Sequence, residues 1–168
     1  MKIFLIGFPG CGKTFLAENT APLLQLPFID TDQLIEKEMG EPVNAVFQNR
    51  GEDFFRKKEA HAIRSLEKKR SAIISTGGGL PCHDENMEWM NDNGLTVYLE
   101  ASAAFLFHRL VKEKKTRPLI SRLSDIELMI YITETLSYRS SFYEKALLSV
   151  NAETCTPAKL SAALKKKI

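Results

Sequence analysis

The stretch Gly7-Phe8-Pro9-Gly10-Cys11-Gly12-Lys13-Thr14 fits the pattern G-x-x-x-x-G-K-[ST] at every fixed position. An apolar run, residues 2–6, precedes it as a buried parallel strand would, and residues 14–26 after it have helical spacing. In a strand–loop–helix context, glycine-rich backbone can place its N–H groups around an anion at a helix N-terminus. The stretch therefore predicts a P-loop that binds a nucleoside triphosphate. A chance glycine-rich turn is the alternative.

The same pattern assigns roles to individual groups of the loop. We expect Lys13 to reach the β- and γ-phosphates and the hydroxyl of Thr14 to bind Mg²⁺. The nucleotide contacts predicted along the loop come from Gly10, Cys11, Gly12, Lys13, Thr14 and Phe15.

Length and composition favour one domain, residues 1–168, with a sizeable core. The formal net charge of +2 gives no general case for binding nucleic acid or an anionic membrane. Three widely spaced cysteines indicate neither a disulfide framework nor a C-x-x-C metal site, so a reducing cytoplasm is the simplest location. No run has the length of a transmembrane or signal segment. We expect a monomer.

Two aspartates follow the second predicted strand. The apolar run 27–29 ends in Asp30-Thr31-Asp32, at the edge where open parallel sheets bind their ligands. We predict that Asp30 lies near Mg²⁺ and that Asp32 faces the phosphoryl acceptor. The alternative is that one of them only caps the helix predicted over residues 33–39.

The third predicted strand, residues 71–75, runs into three consecutive glycines, Gly77, Gly78 and Gly79. Such a sequence is costly in conformational entropy and indicates a tight turn, or backbone that approaches a ligand closely. The strand has no terminal carboxylate, so Mg²⁺ would depend on Thr14, water and Asp30. His83, which follows, is more typical of a solvated loop than of catalysis.

Charged residues later in the chain leave two interpretations open. Arg56 and Glu59 are three apart on a helix predicted over residues 53–69 and could form a simple surface pair. The charged run 112–119 is typical of a solvated loop, but in a phosphoryl-transfer enzyme it would be a lid. Arg117, next to Pro118, would then supply positive charge to the transition state.

The remaining elements complete an α/β pattern. Strands are predicted over residues 95–99 and 146–150, and helices over residues 102–111 and 156–167. Ser124-Asp125-Ile126-Glu127 is a capping box that predicts a long helix reaching about Glu144.

Taken together, these motifs resemble those of the shikimate kinases along nearly the whole chain. The motifs are the P-loop, Phe28 to Asp32, Gly51-Glu52 with Phe55-Arg56, Gly77 to Gly79, Arg117-Pro118-Leu119, and Tyr138-Arg139 with Tyr143-Glu144. The resemblance implies a nucleoside-monophosphate-kinase-like P-loop sandwich of three layers. Its parallel sheet would have five strands in the order 2-3-1-4-5, with helices on both faces. A small substrate lobe (about 32–60) and a lid (about 112–123) would complete it.

The resemblance also implies residue roles at the acceptor. Arg56 and Arg139 match the arginines that hold the shikimate carboxylate, a pairing suited to guanidinium geometry. Asp32 matches the residue that contacts the acceptor hydroxyls and takes the proton. Glu59 matches an acid that orients the substrate-binding arginine, and the stretch 77–79 matches the glycine turn that touches the substrate.

At the nucleotide, Asp30 matches the acid near magnesium and Arg117 the lid arginine at the phosphates. Arg109 and Cys155 are assigned to the adenine side. Cys11 stands where the family usually has alanine and Phe15 where it usually has a small hydroxyl residue, so the resemblance assigns backbone roles to both.

The implied reaction is transfer of the γ-phosphoryl group of MgATP to the 3-hydroxyl of shikimate, which gives shikimate 3-phosphate and ADP in aromatic amino-acid biosynthesis. Lys13, Asp32 and Arg117 are the predicted catalytic residues. Three alternatives stay open: a gluconate-type kinase, a nucleotide-dependent binding protein without phosphoryl transfer, and a nucleoside monophosphate kinase, which would need a base pocket.

Overall fold

The computed structural model describes residues 1–117 and 119–167. Pro118, which the sequence places in the predicted lid beside Arg117, lies outside the described residues. Within the described part of the chain, no helix is long and apolar enough to cross a membrane.

One parallel sheet forms the centre of the molecule. Its strands are β1 (Lys2–Ile6), β2 (Phe28–Asp30), β3 (Ala72–Ser75), β4 (Gly94–Glu100) and β5 (Leu148–Asn151). They lie in the order β2-β3-β1-β4-β5, and every pairing is parallel, as predicted. The central strand β1 is buried along its whole length, as expected for a strand covered on both faces.

Helices surround the sheet. They are α1 (Lys13–Thr20), α2 (Thr31–Met39), α3 (Val43–Arg50), α4 (Glu52–Arg64), α5 (Asn86–Asn93), α6 (Ala103–Glu113), α7 (Asp125–Tyr143) and α8 (Pro157–Lys165). The predicted capping box is present: the Ser124 hydroxyl accepts from the Glu127 N–H at 3.2 Å, and the Glu127 carboxylate accepts from the Ser124 N–H at 2.7 Å.

Several predicted boundaries are corrected by the structure. The helix predicted over residues 14–26 ends at Thr20 and is followed by a 3-10 turn, Pro22–Leu24, because a proline inside a helix removes a backbone donor. Helix α4 ends at Arg64 instead of residue 69. Helix α5 was not predicted, because its sequence reads as polar although Met87 and Met90 are buried.

Two apolar clusters hold these elements. The larger one lies around the sheet, and a smaller one joins helices α2, α3 and α4 through Ile35, Val46, Phe55 and Ala62. The smaller cluster falls in the region predicted as the substrate lobe. It fixes α4 relative to α2, and these two helices carry residues of the site described below.

Candidate active site

Two adjoining cavities open at the carboxyl edge of the sheet, where ligands of parallel α/β proteins bind. The acceptor cavity, about 170 Å³, includes the whole set of predicted substrate residues: Asp32, Arg56, Glu59, Gly77, Gly78, Gly79 and Arg139. The phosphate cavity, about 290 Å³, includes Gly10, Gly12, Lys13, Thr14, Phe15, Asp30, Arg109 and Arg117. Pro9, Asp32, Gly77 and Gly78 line both. The sheet edge therefore brings the predicted groups together around one shared wall.

The P-loop forms the floor of the phosphate cavity. Gly12 precedes α1 with φ 100°, a left-handed conformation that glycine adopts without strain, and no side chain caps the helix. The first N–H groups of α1 are therefore left for an anion. Lys13 is buried, and its ammonium donates to the carbonyls of Gly7 and Phe8 at 2.9 and 3.0 Å. These bonds hold the cation against the cavity wall.

Four other predicted nucleotide residues differ in their placement. The Cys11 side chain is buried beneath the loop, and its N–H donates to the Phe8 carbonyl at 3.2 Å, so its contact with the nucleotide stays a prediction. The Phe15 side chain is 59% exposed, which leaves a backbone role for that residue. Arg109 lines the phosphate cavity with its guanidinium over the Phe105 ring. Cys155 lines neither cavity. Its assignment to the adenine side stays a prediction.

A cluster of oxygen ligands lies beside the P-loop. The Thr14 hydroxyl donates to Asp30 at 3.0 Å and lies 3.1 Å from the Ser75 hydroxyl. Two hydroxyls and one carboxylate suit Mg²⁺, which keeps several waters and takes other ligands from substrate phosphates. No group of three or more His, Cys, Asp or Glu residues that could hold a metal occurs among the described residues. The donor set thus fits a magnesium ion that arrives with its nucleotide.

Ser75 was not predicted as part of this site. It is the last residue of β3, directly before the glycine stretch, and it occupies the strand end where an acid was sought and not found. Its position in the strand is the signal that could have identified it.

Asp30 and Asp32 have separate roles in the structure. One Asp30 oxygen caps α2 by accepting from the Asp32 N–H at 2.9 Å, and the other accepts from Thr14. The capping alternative therefore holds for Asp30 and does not exclude a role at the metal. Asp32 caps nothing, and its Oδ1 atom is buried without a hydrogen-bond partner among the described residues. Such an oxygen is costly unless a ligand satisfies it.

The surroundings of Asp32 change its acidity. Burial, followed by the nearby charge of Asp30, raises the pKa of Asp32 to about 6, while the Lys13 ammonium opposes this rise. The carboxylate is therefore a stronger base than an exposed aspartate and is still mostly ionised at neutral pH. This combination suits a group that accepts a proton from an alcohol.

Arg56 and Glu59 form a buried pair, which excludes the exposed surface pair left open by the sequence. Their side chains are 12% and 1% exposed, and Arg56 donates to Glu59 at 2.7 Å. Burial raises the pKa of Glu59 to about 7, against the opposing effect of Arg56. Arg56 also donates to Glu52 at 2.9 Å. Arg139, from α7, enters the same cavity with its guanidinium 5.7 Å from the Phe8 ring centroid.

The glycine stretch is required by the close approach of these side chains. A Cβ atom at Gly77 would lie 2.5 Å from a Glu59 carboxylate oxygen, and one at Gly79 would lie 2.5 Å from an Arg56 nitrogen. Any larger residue would displace the buried pair. The predicted close approach of backbone therefore occurs, and the groups that approach are the protein's own side chains.

The acidity of Asp32 predicts a pH dependence. We expect the kcat/KM for the acceptor to fall about tenfold per pH unit below about 6, because protonation removes the acceptor of the proton. Initial rates between pH 5 and 8, at fixed ionic strength and with the enzyme checked for folding at each pH, measure this limb. A profile that is flat from pH 7 to 5 would contradict the assignment.

Comparison with known proteins places the chain in a family. The family model for shikimate kinase matches residues 9–168. The chain belongs to the shikimate kinase family. The shikimate kinase of Phocaeicola vulgatus is 46% identical over 145 residues, which cover 86% of this chain and 83% of that protein.

Solved structures of the family agree with this fold. The shikimate kinase of Bacteroides thetaiotaomicron superposes with a TM-score of 0.89 at 37% identity, covering 99% of this chain and 96% of that one. The shikimate kinase of Acinetobacter baumannii, in complex with shikimate, superposes with a TM-score of 0.88 at 26% identity. The match covers 99% of this chain and 91% of that one. Both the predicted family and the predicted fold are confirmed.

The sequence did not predict one wall of the acceptor cavity. Helix α3 contributes Val43, Asn44, Phe47 and Gln48 to it. Periodicity in the sequence indicates only that Val46 and Phe47 pack inward. Nothing in the spacing of Asn44 and Gln48 separates a cavity wall from an ordinary solvated face.

Proposed function

We propose that this shikimate kinase family member transfers the γ-phosphoryl group of MgATP to the 3-hydroxyl of shikimate, giving shikimate 3-phosphate and ADP. One observation carries the proposal. A buried oxygen of Asp32, without a hydrogen-bond partner in residues 1–117 and 119–167, lies where the acceptor cavity meets the phosphate cavity. A group at this junction can touch both the attacking alcohol and the region of the transferred phosphoryl.

Two arginines of the acceptor cavity support an acidic acceptor. Arg56 and Arg139 line it, and both can donate to a carboxylate in the forked geometry that guanidinium groups favour. Buried Glu59 fixes the direction of Arg56. Phe47 and Phe55 pack edge to face beside the cavity and give it an apolar wall for a small ring.

Asp32 orients the acceptor hydroxyl and takes its proton. As the hydroxyl oxygen forms its bond to the γ-phosphorus, the bond from that phosphorus to the β–γ bridging oxygen breaks, and ADP leaves. Phosphoryl transfer depends mainly on positioning and on neutralising charge on the phosphate oxygens. Lys13 and the N-terminus of α1 supply this charge from the P-loop side. Thr14 and Asp30, with Ser75, would hold Mg²⁺, which when bound neutralises phosphate charge.

Arg117 supplies further charge from the segment 112–123, which we propose as the lid. It lines the phosphate cavity and is held there by Glu113, whose carboxylate accepts from the Arg117 guanidinium at 2.7 and 2.8 Å. An arginine at this position adds positive charge opposite Lys13, which favours the transition state of phosphoryl transfer.

Domain organisation, oligomeric state and cellular location are also part of the proposal. We propose one domain over residues 1–168 that acts as a monomer in the cytoplasm, within aromatic amino-acid biosynthesis. Its three cysteines are all unpaired, which suits a reducing compartment. No nucleic-acid or membrane partner is proposed for the nearly neutral chain.

The test is an acceptor panel with ADP release as the readout. Shikimate, gluconate and nucleoside monophosphates are each supplied with MgATP, and the product is identified by mass spectrometry. Of these acceptors, we expect only shikimate to give rapid ADP release. This activity should be lost in Lys13→Ala. Turnover of gluconate or a nucleotide in place of shikimate would identify one of the other kinases. No turnover of any acceptor would favour a nucleotide-dependent binding protein.

A further inference from the structure

The glycine turn of the acceptor cavity is tied to the end of a distant helix. Tyr143, the last residue of α7, donates its hydroxyl proton to the Gly78 carbonyl oxygen at 2.6 Å. Its side chain is fully buried, and burial raises the pKa of Tyr143, so the hydroxyl stays a donor. Tyr143 lines neither the acceptor cavity nor the phosphate cavity. It therefore lies behind the turn.

We propose that Tyr143 is a positioning residue for the acceptor, because its hydrogen bond to Gly78 fixes the orientation of the peptide group between Gly78 and Gly79. The proposal deepens the proposed function and rests on it. Tyr143 lines neither cavity, so it acts on the acceptor through the glycine turn and through Arg139, whose guanidinium also interacts with the Tyr143 hydroxyl.

The peptide group between Gly78 and Gly79 has its carbonyl and its N–H on opposite sides. In a planar trans peptide, the carbonyl and the N–H point in opposite directions, and no cis peptide bond occurs in the described residues. The Gly78 carbonyl points to Tyr143, so the Gly79 N–H points away from Tyr143. Gly79 lines the acceptor cavity, and no described residue accepts a hydrogen bond from its N–H. That donor is thereby presented to the acceptor side.

The glycine turn is flexible. Three glycines in a row have many accessible backbone conformations, so their orientation must be set by their neighbours. The Gly77 N–H donates to the Thr31 hydroxyl at 3.1 Å, and this bond fixes one end of the turn. Among the described residues, Tyr143 supplies the side-chain bond to the middle of the turn. Without it the Gly78–Gly79 peptide can rotate.

The C-terminal end of helix α7 holds both Arg139 and Tyr143. Arg139 lies one helical turn before Tyr143, and its guanidinium enters the acceptor cavity. The Tyr143 ring packs against that of Tyr98 with centroids 5.2 Å apart, which fixes the end of the helix on β4. The last turn of α7 therefore sets both a cationic group and a backbone donor relative to the same ligand.

The test compares Tyr143→Phe with Tyr98→Phe. Both variants keep the packed ring pair and lose one hydroxyl, but no described residue forms a hydrogen bond with the Tyr98 hydroxyl. We expect Tyr143→Phe to lower kcat/KM for the acceptor about tenfold, the effect of losing one buried hydrogen bond. The KM for ATP should stay close to that of the unaltered chain, and the Tm should fall by a few degrees because the Gly78 carbonyl loses its partner. Tyr98→Phe should change none of these quantities.

A second measurement does not depend on turnover. We expect hydrogen exchange at the Gly79 amide, followed by NMR in the ligand-free protein, to differ between Tyr143→Phe and the unaltered chain and to be the same in Tyr98→Phe. Unchanged acceptor kinetics together with unchanged Gly79 exchange would overturn the proposal. An equal loss of kcat/KM for ATP and for the acceptor would also overturn it, because it would show a purely structural role.

Failure of the proposed function would be seen separately. The kinetic ratios are measured with whichever acceptor the unaltered chain phosphorylates in the panel. If that acceptor is not shikimate, the proposed function fails while the ratio of Tyr143→Phe to the unaltered chain still tests the tyrosine. If no acceptor is phosphorylated, the Gly79 exchange measurement decides.

Discussion

Asp32→Asn is expected to lower kcat by about 100- to 10,000-fold, the usual contribution of a positioned general base. The amide keeps the size of the side chain but cannot take the proton of the attacking hydroxyl. Steady-state rates with saturating MgATP and acceptor measure the loss. The contribution of Asp32 to the loss of activity below about pH 6 should disappear in the same variant, while that of Glu59 should remain.

Stability separates this result from simple unfolding. A carboxyl whose pKa is raised in the folded state binds protons more tightly there than in the unfolded chain, so its charge opposes folding at neutral pH. Removing that charge should leave the Tm of Asp32→Asn equal to or above the original value. Asp53→Asn is the matched control, since Asp53 is an exposed carboxylate in the first turn of α4. Near-normal kcat in Asp32→Asn would refute the role of Asp32.

Arg56→Ala is expected to raise the acceptor KM by about 100-fold, because two charge-assisted hydrogen bonds to a carboxylate are lost. The KM for ATP should change less than about twofold. Arg56 lines the acceptor cavity and not the phosphate cavity, which is the physical reason for this separation. Titration of each substrate at saturating concentration of the other measures both constants.

Two further variants control for charge and for folding. Lys57→Ala removes the adjacent exposed cation and should behave like the unaltered chain. Arg56→Lys keeps the positive charge but cannot donate two parallel hydrogen bonds to one carboxylate. Its acceptor KM should therefore lie between those of the unaltered chain and Arg56→Ala. Because Arg56→Ala leaves Glu59 buried without its cation, the Tm must be measured alongside the kinetics. An equal rise in both KM values would contradict a role confined to the acceptor.

Regular periodicity and two local motifs predicted many of the elements, and the family resemblance predicted their arrangement. The P-loop and the capping box at Ser124 depend on residues close together in sequence, and both form as predicted. The predicted ends and positions of helices were wrong where local sequence signals compete. Pro22 ends α1 early, and the polar sequence of α5 conceals two buried methionines. Such outcomes depend on what packs against a segment, which periodicity alone does not contain.

The candidate site shows the same division. The sequence pointed to Asp30 and Asp32 but could not separate capping from chemistry. The structure separates them, since one oxygen of Asp30 caps α2 while an oxygen of Asp32 is buried without a hydrogen-bond partner in the described part of the chain. Arg56 and Glu59 were equally ambiguous until their burial was known. Burial depends on the whole chain around a residue and is not encoded in its spacing.

The amino-acid sequence by itself determined the phosphate-binding loop, because this depends on residue types at fixed short spacings. It also determined the family and, through the resemblance, the parallel sheet, because the family motifs recur along nearly the whole chain. Only the tertiary structure decided which distant groups meet. It placed Ser75 against Thr14, and it set Tyr143 behind Gly78, 65 residues away in the chain. The carboxyl ends of parallel strands converge at one edge regardless of their separation in sequence, and this convergence creates contacts that no local pattern records.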